Sequence, residues 1–269
     1  MEFADSGGRS HLVNTALDSI IAGVLEDVKT REISKAQLQE DIMRAPLIVS
    51  AYDALAKLGM QLIAEVKRSS PSKGALAAIA NPADLAQRYE SAGAAVISVL
   101  TENRKFGGSN QDLIAVKSLV KVPVLRKDFI VTEYQVRESR ALGADLMLLI
   151  VAALSDSQLK DFQALAQELG MSVLVEVHEE RELVRAIDID AKIIGVNARN
   201  LKTLEINEKA FSILLPLIPS DRIQVAESGI STRTQVLAAE KLGAKAILVG
   251  ETLVRADDPS LVIRDLLGT

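Results

Sequence analysis

The chain has 269 residues, 48% of them hydrophobic and 25% charged, which is the composition of a globular protein with ample length for one large core. The net charge of −5 and the 3% aromatic content argue against a nucleic-acid partner, because such a surface needs a basic field and stacking rings. The absence of cysteine excludes disulfides, thiolate nucleophiles and zinc–sulfur sites, and it fits a reducing cytosol.

The first sixty residues predict a tail followed by helices. Residues 1–10 are polar and lack the basic start and apolar core of a signal peptide, so we expect a loose tail and a cytoplasmic protein. Apolar residues at three- and four-residue steps predict a helix over 15–31, capped by Asn14 or Thr15. Shorter helices are predicted over 34–44 and 50–58. We interpret this extension as a structural cover rather than a partner-binding arm. No apolar run approaches the roughly 20 residues that span a bilayer, so no membrane partner is expected.

From residue 61 onward, short apolar runs alternate with helical segments. The predicted strands are 61–66, 95–100, 123–126, 146–151, 172–177, 192–196, 222–226 and 246–249. The predicted helices are 82–92, 111–120, 133–142, 156–169, 180–187, 208–215, 232–242 and 259–267. Such repeated strand–helix units favour an α/β protein with a (β/α)8 TIM barrel over 61–269 and an N-terminal helical extension over 1–60, in one domain. A doubly wound sheet is disfavoured because Gly-x-Gly-x-x-Gly is absent.

Charged residues stand at the carboxyl ends of the predicted strands, where barrels of this kind build their sites. Glu65 and Lys67 are two residues apart on the first strand and therefore share a face. Burying a lone charge in a strand is unfavourable, so the two must pair with each other or meet solvent or a ligand. The Ser/Pro/Gly-containing loop over 69–81 that follows is long enough to be a lid.

Lys127 is the candidate acid. It ends the third strand, and it could protonate or polarise a carbonyl, or form a Schiff base. Lys67 across the mouth should lower the pKa of Lys127, whereas Glu65 or Glu176 should raise it. The alternative is a purely structural role for Lys127, in a salt bridge to Asp128 or to a glutamate.

Glutamates end three further strands. A purely structural barrel would prefer Val, Ile or Leu at such positions, which makes Glu176 and Glu227 candidates for catalysis or binding. For each glutamate taken alone, Glu102 included, a structural ion-pair role is about equally plausible.

Two glycine turns end the last two strands and predict a phosphate site. Ser228-Gly229 and Gly250-Glu251 each allow backbone N–H groups to approach an anion, and loops after strands seven and eight are the usual phosphate site of such barrels. The alternative is that both glycines serve tight turns only.

Other chemistries find no support in the sequence. His178-Glu179 begins like a zinc-protease helix but has no second histidine, so we expect no metal and interpret His178 as a structural hydrogen-bonder. No Gly-x-Ser-x-Gly elbow and no Gly-Lys-Ser/Thr loop is present. The residues alone therefore predict a barrel enzyme that needs no cofactor and acts on a phosphorylated small molecule, as a monomer or weak homodimer. They do not name the substrate.

The strand-end motifs resemble one known family. Glu-Val-Lys-Arg-Ser-Ser-Pro-Ser-Lys-Gly at 65–74 closely resembles the first-strand signature of the indole-3-glycerol-phosphate synthases of tryptophan biosynthesis. Further similar motifs are Ile-Ser-Val-Leu-Thr-Glu at 97–102, Phe-Gly-Gly-Ser at 106–109, Leu-Arg-Lys-Asp-Phe-Ile at 125–130, Val-Glu-Val-His at 175–178, Gly-Val-Asn-Ala-Arg-Asn-Leu at 195–201 and Ala-Glu-Ser-Gly-Ile at 226–230. The resemblance runs from about residue 50 to the C-terminus.

The resemblance implies ring closure of 1-(2-carboxyphenylamino)-1-deoxyribulose 5-phosphate with loss of carbon dioxide and water. It assigns the general acid to Lys127 and the general base to Glu176. Lys67 and Glu65 become the catalytic pair beside them, and Lys67 also becomes a second acid or a phosphate contact. The substrate-binding positions that it implies are Ser70, Leu100, Phe106, Ile150, Asn197, Arg199, Glu227 and Leu248. The phosphate-binding positions are Lys67, Ser228, Gly229, Gly250 and Glu251.

Glu251 departs from the pattern, because some relatives carry serine there. A carboxylate would repel a phosphate, so we expect only the N–H of Glu251 to contact the phosphate and its side chain to turn away.

The alternatives to the main interpretation are another phosphate-binding barrel lyase or isomerase and a catalytically silent barrel. Phosphoribosylanthranilate isomerase uses a cysteine that this chain lacks.

Overall fold

The computed structural model describes residues 15–269, so the predicted tail and the proposed cap Asn14 lie outside the described residues. Three helices precede the barrel: α1 (Ala16–Arg31), α2 (Lys35–Arg44) and α3 (Ala51–Leu55). Thr15 caps α1, because its Oγ1 accepts a hydrogen bond from Asp18 N at 3.2 Å and the Asp18 carboxylate accepts one from Thr15 N at 3.0 Å. The third helix ends earlier than predicted, ahead of Gly59, whose φ is 81°.

Eight parallel strands close into a barrel, which confirms the predicted fold class. They are β1 (Gln61–Val66), β2 (Val96–Leu100), β3 (Val124–Lys127), β4 (Leu146–Ile150), β5 (Ser172–Val177), β6 (Ile193–Asn197), β7 (Ile223–Glu227) and β8 (Ala246–Val249). Each strand pairs with its neighbours in the chain, and β8 closes the ring against β1. A short antiparallel pair that was not predicted, Ser69–Ser70 with Gly74–Ala75, follows β1.

Helices surround the barrel close to their predicted places. They are α4 (Pro82–Ser91), α5 (Asn110–Leu119), α6 (Glu133–Ala141), α7 (Asp156–Glu168), α8 (Glu180–Asp188), α9 (Ala210–Leu214), α10 (Arg233–Lys241), α11 (Glu251–Val254) and α12 (Pro259–Leu267). The helix predicted over 208–215 begins later and continues as a 3-10 turn through Pro216. The four-residue α11 was not predicted. No helix within 15–269 combines the length and the apolar character that crossing a membrane requires.

The strand register brings side chains of neighbouring strands to the same level of the barrel. Glu176 lies opposite Ile150, and Asn197 lies opposite Glu227. The strands are almost entirely buried, as expected for a parallel sheet whose outer face is covered by helices. Polar side chains at these carboxyl ends therefore converge on one mouth.

A hydrogen bond to a buried carboxylate and a partly exposed ion pair attach the N-terminal extension to the barrel. The Asp145 carboxylate accepts hydrogen bonds from Val49 N at 2.8 Å, Val124 N at 2.7 Å and Lys117 Nζ at 2.6 Å. On another side, Arg31 of α1 lies 2.8 Å from Glu138 of α6. The extension is thus attached to the barrel at the end of α1 and again ahead of α3.

Candidate active site

A cavity of about 400 Å³ opens at the carboxyl ends of the strands. Every residue that the sequence analysis assigned to catalysis or binding lines it: Glu65, Lys67, Ser70, Leu100, Phe106, Lys127, Ile150, Glu176, Asn197, Arg199, Glu227, Ser228, Gly229, Leu248, Gly250 and Glu251. Residues from the first to the last strand of the barrel thus surround a single volume, large enough for a drug-sized molecule.

Lys127 lies at the centre of the charged groups. Its Nζ donates a hydrogen bond to Glu176 Oε2 at 3.2 Å and lies 3.8 Å from Glu227 Oε2. Burial alone would lower the pKa of Lys127, but the facing carboxylates, with Glu176 and Glu227 contributing most, outweigh it and raise the pKa. The ammonium group is therefore charged at neutral pH. Asp128 is not its partner, because that carboxylate faces Arg126 on the outer side of the strand at 3.2 Å.

The two glutamates beside Lys127 differ in charge. Burial would raise the pKa of Glu176, but Lys127 and His178 outweigh it, so the pKa is lowered and the carboxylate is ionised. Burial and the negative charge of Glu176 raise the pKa of Glu227 well above its usual value. Of the two buried carboxylates near one ammonium, Glu227 is therefore the one whose surroundings favour the protonated form.

Two glycines make room for these carboxylates. A Cβ on Gly195 would lie 2.0 Å from Glu227 Oε1, and one on Gly250 would lie 2.6 Å from Glu65 Oε1. Glycine at these positions thus leaves room for a carboxylate of the neighbouring strand. Gly250, which the sequence assigned to phosphate contact, has this second reason to lack a side chain.

Glu65 and Lys67 form the predicted pair on β1. Lys67 Nζ lies 2.7 Å from Glu65 Oε1, and Ser98 Oγ donates to Glu65 Oε2 at 3.3 Å. Both members of the pair line the cavity. The charge of each is thereby matched inside the barrel mouth, as burial requires.

The turn after β7 has left-handed backbone at two successive residues. The φ angles of Ser228 and Gly229 are 70° and 76°, and the former is unusual for a residue with a side chain. Ser228 Oγ donates to Asn197 Oδ1 at 2.8 Å, and the same oxygen accepts from Arg199 N at 2.9 Å. Asn197 thereby ties the β6 and β7 loops together.

The last loop adds a cation that sequence reasoning missed. Arg255 lines the cavity, and its Nη1 lies 3.6 Å from Glu251 Oε1. Glu251 begins α11 and Arg255 is its C-terminal cap, four residues later. Residues at this spacing contact each other only on a helix, and the sequence did not predict this short helix.

Phe106 forms the aromatic wall of the cavity and lies 6.0 Å from the ring of Phe129. The buried Glu102 carboxylate holds its loop by accepting hydrogen bonds from three consecutive N–H groups, those of Arg104, Lys105 and Phe106. Glu102 itself is not among the cavity residues, so its contacts are those of a structural group.

The N-terminal extension also reaches the site. Ile20 of α1 lines the cavity, and Arg104 Nη2 lies 2.6 Å from Asp27 Oδ1 on the same helix. The helical pattern of the sequence placed Ile20 on a buried face but gave no sign of which element it meets. The N-terminal extension thus contributes one side chain, that of Ile20, to the wall of the cavity.

His178 lies behind Glu176. Its Nε2 is 3.3 Å from Glu176 Oε1, and its Nδ1 is 3.0 Å from Glu182 Oε2. Burial would lower the pKa of His178, but these two carboxylates outweigh it and raise it to about 10. Within 15–269, no three His, Asp or Glu side chains converge as a metal site would require.

The sequence is similar to one family of known proteins. The family model described as indole-3-glycerol phosphate synthase matches residues 17–266. Proteins of that name from Mycolicibacterium vanbaalenii and Paenarthrobacter aurescens are 52% and 54% identical, over 94% and 91% of this chain and 94% and 93% of theirs. Indole-3-glycerol phosphate synthase 1 of Streptomyces coelicolor is 53% identical over 94% of this chain and 95% of its own length.

Solved structures of low sequence identity share the fold. A crystal structure of 3-hexulose-6-phosphate synthase matches with a TM-score of 0.59 at 18% identity, over 78% of this chain and 99% of that one. Thiamine phosphate pyrophosphorylase from Pyrococcus furiosus matches with a TM-score of 0.59 at 14% identity, over 81% of this chain and 96% of that one. At these identities the likeness concerns the barrel alone.

Proposed function

Because the chain belongs to the indole-3-glycerol phosphate synthase family, we propose that it converts 1-(2-carboxyphenylamino)-1-deoxyribulose 5-phosphate to indole-3-glycerol phosphate, releasing carbon dioxide and water. This makes it a carbon–carbon lyase of tryptophan biosynthesis. The observation that carries the proposal is the contact of an ammonium group with an ionised carboxylate, Lys127 Nζ to Glu176 Oε2 at 3.2 Å, inside the cavity.

Lys127 is the proposed general acid. The aromatic carbon that bears the carboxylate attacks the ribulose carbonyl carbon, and the proton of Lys127 goes to the carbonyl oxygen as negative charge develops there. A fixed cation at that oxygen stabilises the transition state more than the ground state. The raised pKa of Lys127 keeps its proton in place until that oxygen becomes basic. Loss of carbon dioxide then restores the aromatic ring.

Glu176 is the proposed general base of the dehydration that follows. Its carboxylate is ionised in the free protein and is hydrogen-bonded to Lys127. Once Lys127 has given up its proton, the strongest opposing charge beside Glu176 is gone, and the pKa of Glu176 rises. Acid and base are thus coupled, because the first proton transfer makes the second one favourable.

The remaining predicted residues are proposed to hold the two anionic ends of the substrate. Ser70 Oγ is buried and has no hydrogen-bond partner within residues 15–269, which leaves it free for a ligand oxygen. We assign the anthranilate carboxylate and the ribulose hydroxyls to Ser70, Asn197, Arg199 and Glu227. A protonated Glu227 donates to a hydroxyl without repelling an anion.

The apolar walls and the phosphate end complete the assignment. Phe106, Leu100, Ile150 and Leu248 pack on the aromatic ring of the substrate. The N–H groups of the turns at Ser228, Gly229, Gly250 and Glu251, together with Lys67, hold the phosphate. Contacts at both ends fix a flexible chain in reactive geometry, which supports ring closure.

The test adds the carboxyphenylamino-deoxyribulose phosphate to the protein and follows indole fluorescence. The chain has no tryptophan, so the product signal stands nearly alone. Lys127→Met should abolish the signal, whereas Lys241→Ala, a change of an exposed lysine on α10, should leave it unchanged. Binding of the substrate without product would indicate a silent barrel. A borohydride-trapped adduct on Lys127 would indicate Schiff-base chemistry instead.

A further inference from the structure

His178 joins two carboxylates that belong to different elements. Glu176 lies on β5, and Glu182 lies on α8, where its Oε2 also accepts a hydrogen bond from His178 N at 2.7 Å. The ring nitrogens lie 3.3 Å from Glu176 Oε1 and 3.0 Å from Glu182 Oε2. His178 is not among the residues that line the cavity, so it acts on a ligand only through Glu176.

The positions of the two carboxylates determine which protonation state of the His178 imidazole is favoured. A neutral imidazole has one N–H and one lone pair, and the lone pair would face a carboxylate oxygen whichever tautomer formed. Only the imidazolium places a positive charge against both glutamates, although its Nε2–H is not aligned for a hydrogen bond to Glu176. The pKa of His178 agrees with this state, since the two carboxylates raise it to about 10. On the side of Glu176 that faces away from His178, the neighbouring charged groups are Lys127 on β3 and Glu227 on β7.

We propose that His178 is a positioning residue: a permanently protonated imidazolium that fixes the Glu176 carboxylate and keeps it ionised during the reaction, with Glu182 holding the proton on the ring. The proposal rests on the base role of Glu176 under the proposed function. Lys127 occupies one oxygen of Glu176, and His178 lies against the other. Glu176 Oε1 receives no aligned hydrogen bond from the described part of the chain, so the cation beside it is its main compensation.

A second cation beside Glu176 is needed because the first one, Lys127, loses its charge during the reaction. When Lys127 gives its proton to the substrate, Glu176 loses its closest positive charge. A carboxylate left buried among Glu65 and Glu227 would then take up a proton itself and cease to be a base. His178 retains its charge throughout, and therefore limits the rise of the pKa of Glu176 to the range in which it accepts a proton from the substrate.

The first test measures the charge of His178 directly, without substrate. The chain has two histidines, His11 and His178, so nitrogen-15 NMR shows the ring nitrogens of two imidazoles only, and these can be assigned. We expect one ring to remain doubly protonated well above neutral pH, and that signal to disappear in His178→Gln. In Glu182→Gln, the same ring should titrate at lower pH. A His178 that titrates near the ordinary value of about 6.5 would overturn the proposal.

The second test compares the pH dependence of kcat in the wild type, His178→Gln and Glu182→Gln. Glutamine keeps hydrogen-bonding capacity but removes the charge, so the acidic limb of the profile should move up by about one to three pH units. Glu182→Gln leaves the cation against Glu176 and should move the limb less. Equal losses of rate in both variants, with no shift of the limb, would show a packing role only and would overturn the proposal.

The two tests separate failure of this inference from failure of the proposed function. A wild-type protein that makes no indole product rejects the proposed function, while the NMR titration still decides the charge of His178. Circular dichroism of each variant at each pH confirms that the fold persists.

Discussion

Replacing Glu227 with glutamine should make the stability of the protein less sensitive to rising pH. Glu227 is 1% exposed, and burial together with the charge of Glu176 raises its pKa well above its usual value. The folded state therefore carries a proton on Glu227 that the unfolded chain, with a pKa of about 4.3, releases at neutral pH. Glutamine matches the protonated acid in shape and carries no titrating group.

The sign and size of the effect follow from proton linkage. A group whose pKa is raised in the folded state contributes stability that is fully present below its unfolded pKa and is lost as pH rises through its folded pKa. Between these values the wild type should lose about 1.4 kcal/mol of unfolding free energy per pH unit relative to Glu227→Gln. For a chain of this size, this corresponds to roughly 3 to 5 °C in Tm per pH unit.

The assay is thermal unfolding, followed by circular dichroism, between about pH 5 and pH 7. Lys241→Ala, a change of an exposed lysine on α10 that lies outside the cavity, is the control. Its Tm difference from the wild type should be constant in this range. Parallel Tm curves for the wild type and Glu227→Gln would show that Glu227 is ionised in the folded protein, and would refute the charge assignment.

Three further outcomes are expected. Lys127→Ala and Glu176→Gln should each lower turnover by roughly a hundredfold or more, and near-normal indole fluorescence rates in both would contradict their roles. Gly195→Ala should destabilise the protein by about 1–3 kcal/mol in urea unfolding, because its Cβ would lie 2.0 Å from Glu227 Oε1, and an unchanged midpoint would reject that contact. Glu102→Gln should raise KM more than it lowers kcat, because it loosens the loop that presents Phe106, whereas an unchanged KM would show that the loop holds without it.

Periodicity was sufficient to predict the large elements. The runs at 61–66, 172–177 and 246–249 match the observed strands at both ends, because each is a short and largely apolar segment between more polar residues. The missed elements are the four-residue α11 and the two-residue strands after β1. Segments that short show no repeat of hydrophobicity and depend on contacts that form only in the folded chain.

The position of each site residue could also be predicted, but its charge could not. Strand alternation placed Lys127, Glu176 and Glu227 on the inner face, and all three line the cavity. The two glutamates occupy equivalent strand ends, yet their pKa values shift in opposite directions. That difference depends on separations of 3.2 and 3.8 Å from one ammonium group and on His178, which no sequence pattern specifies.

The cations at the centre of the barrel mouth are each paired with a carboxylate before any ligand arrives. Lys67 contacts Glu65, Lys127 contacts Glu176 and His178 contacts Glu182, while the raised pKa of Glu227 favours its protonated form. A balanced cluster exerts little attraction on an anion beyond its own contacts. On the proposed function, we therefore expect local contacts to recognise the anionic ends of the substrate, chiefly those of Arg199 and the N–H groups of the Ser228–Gly229 turn. On this assignment Lys127 and Glu176 transfer protons, whereas Lys67 and Glu227, which belong to the same charged centre, also bind the substrate.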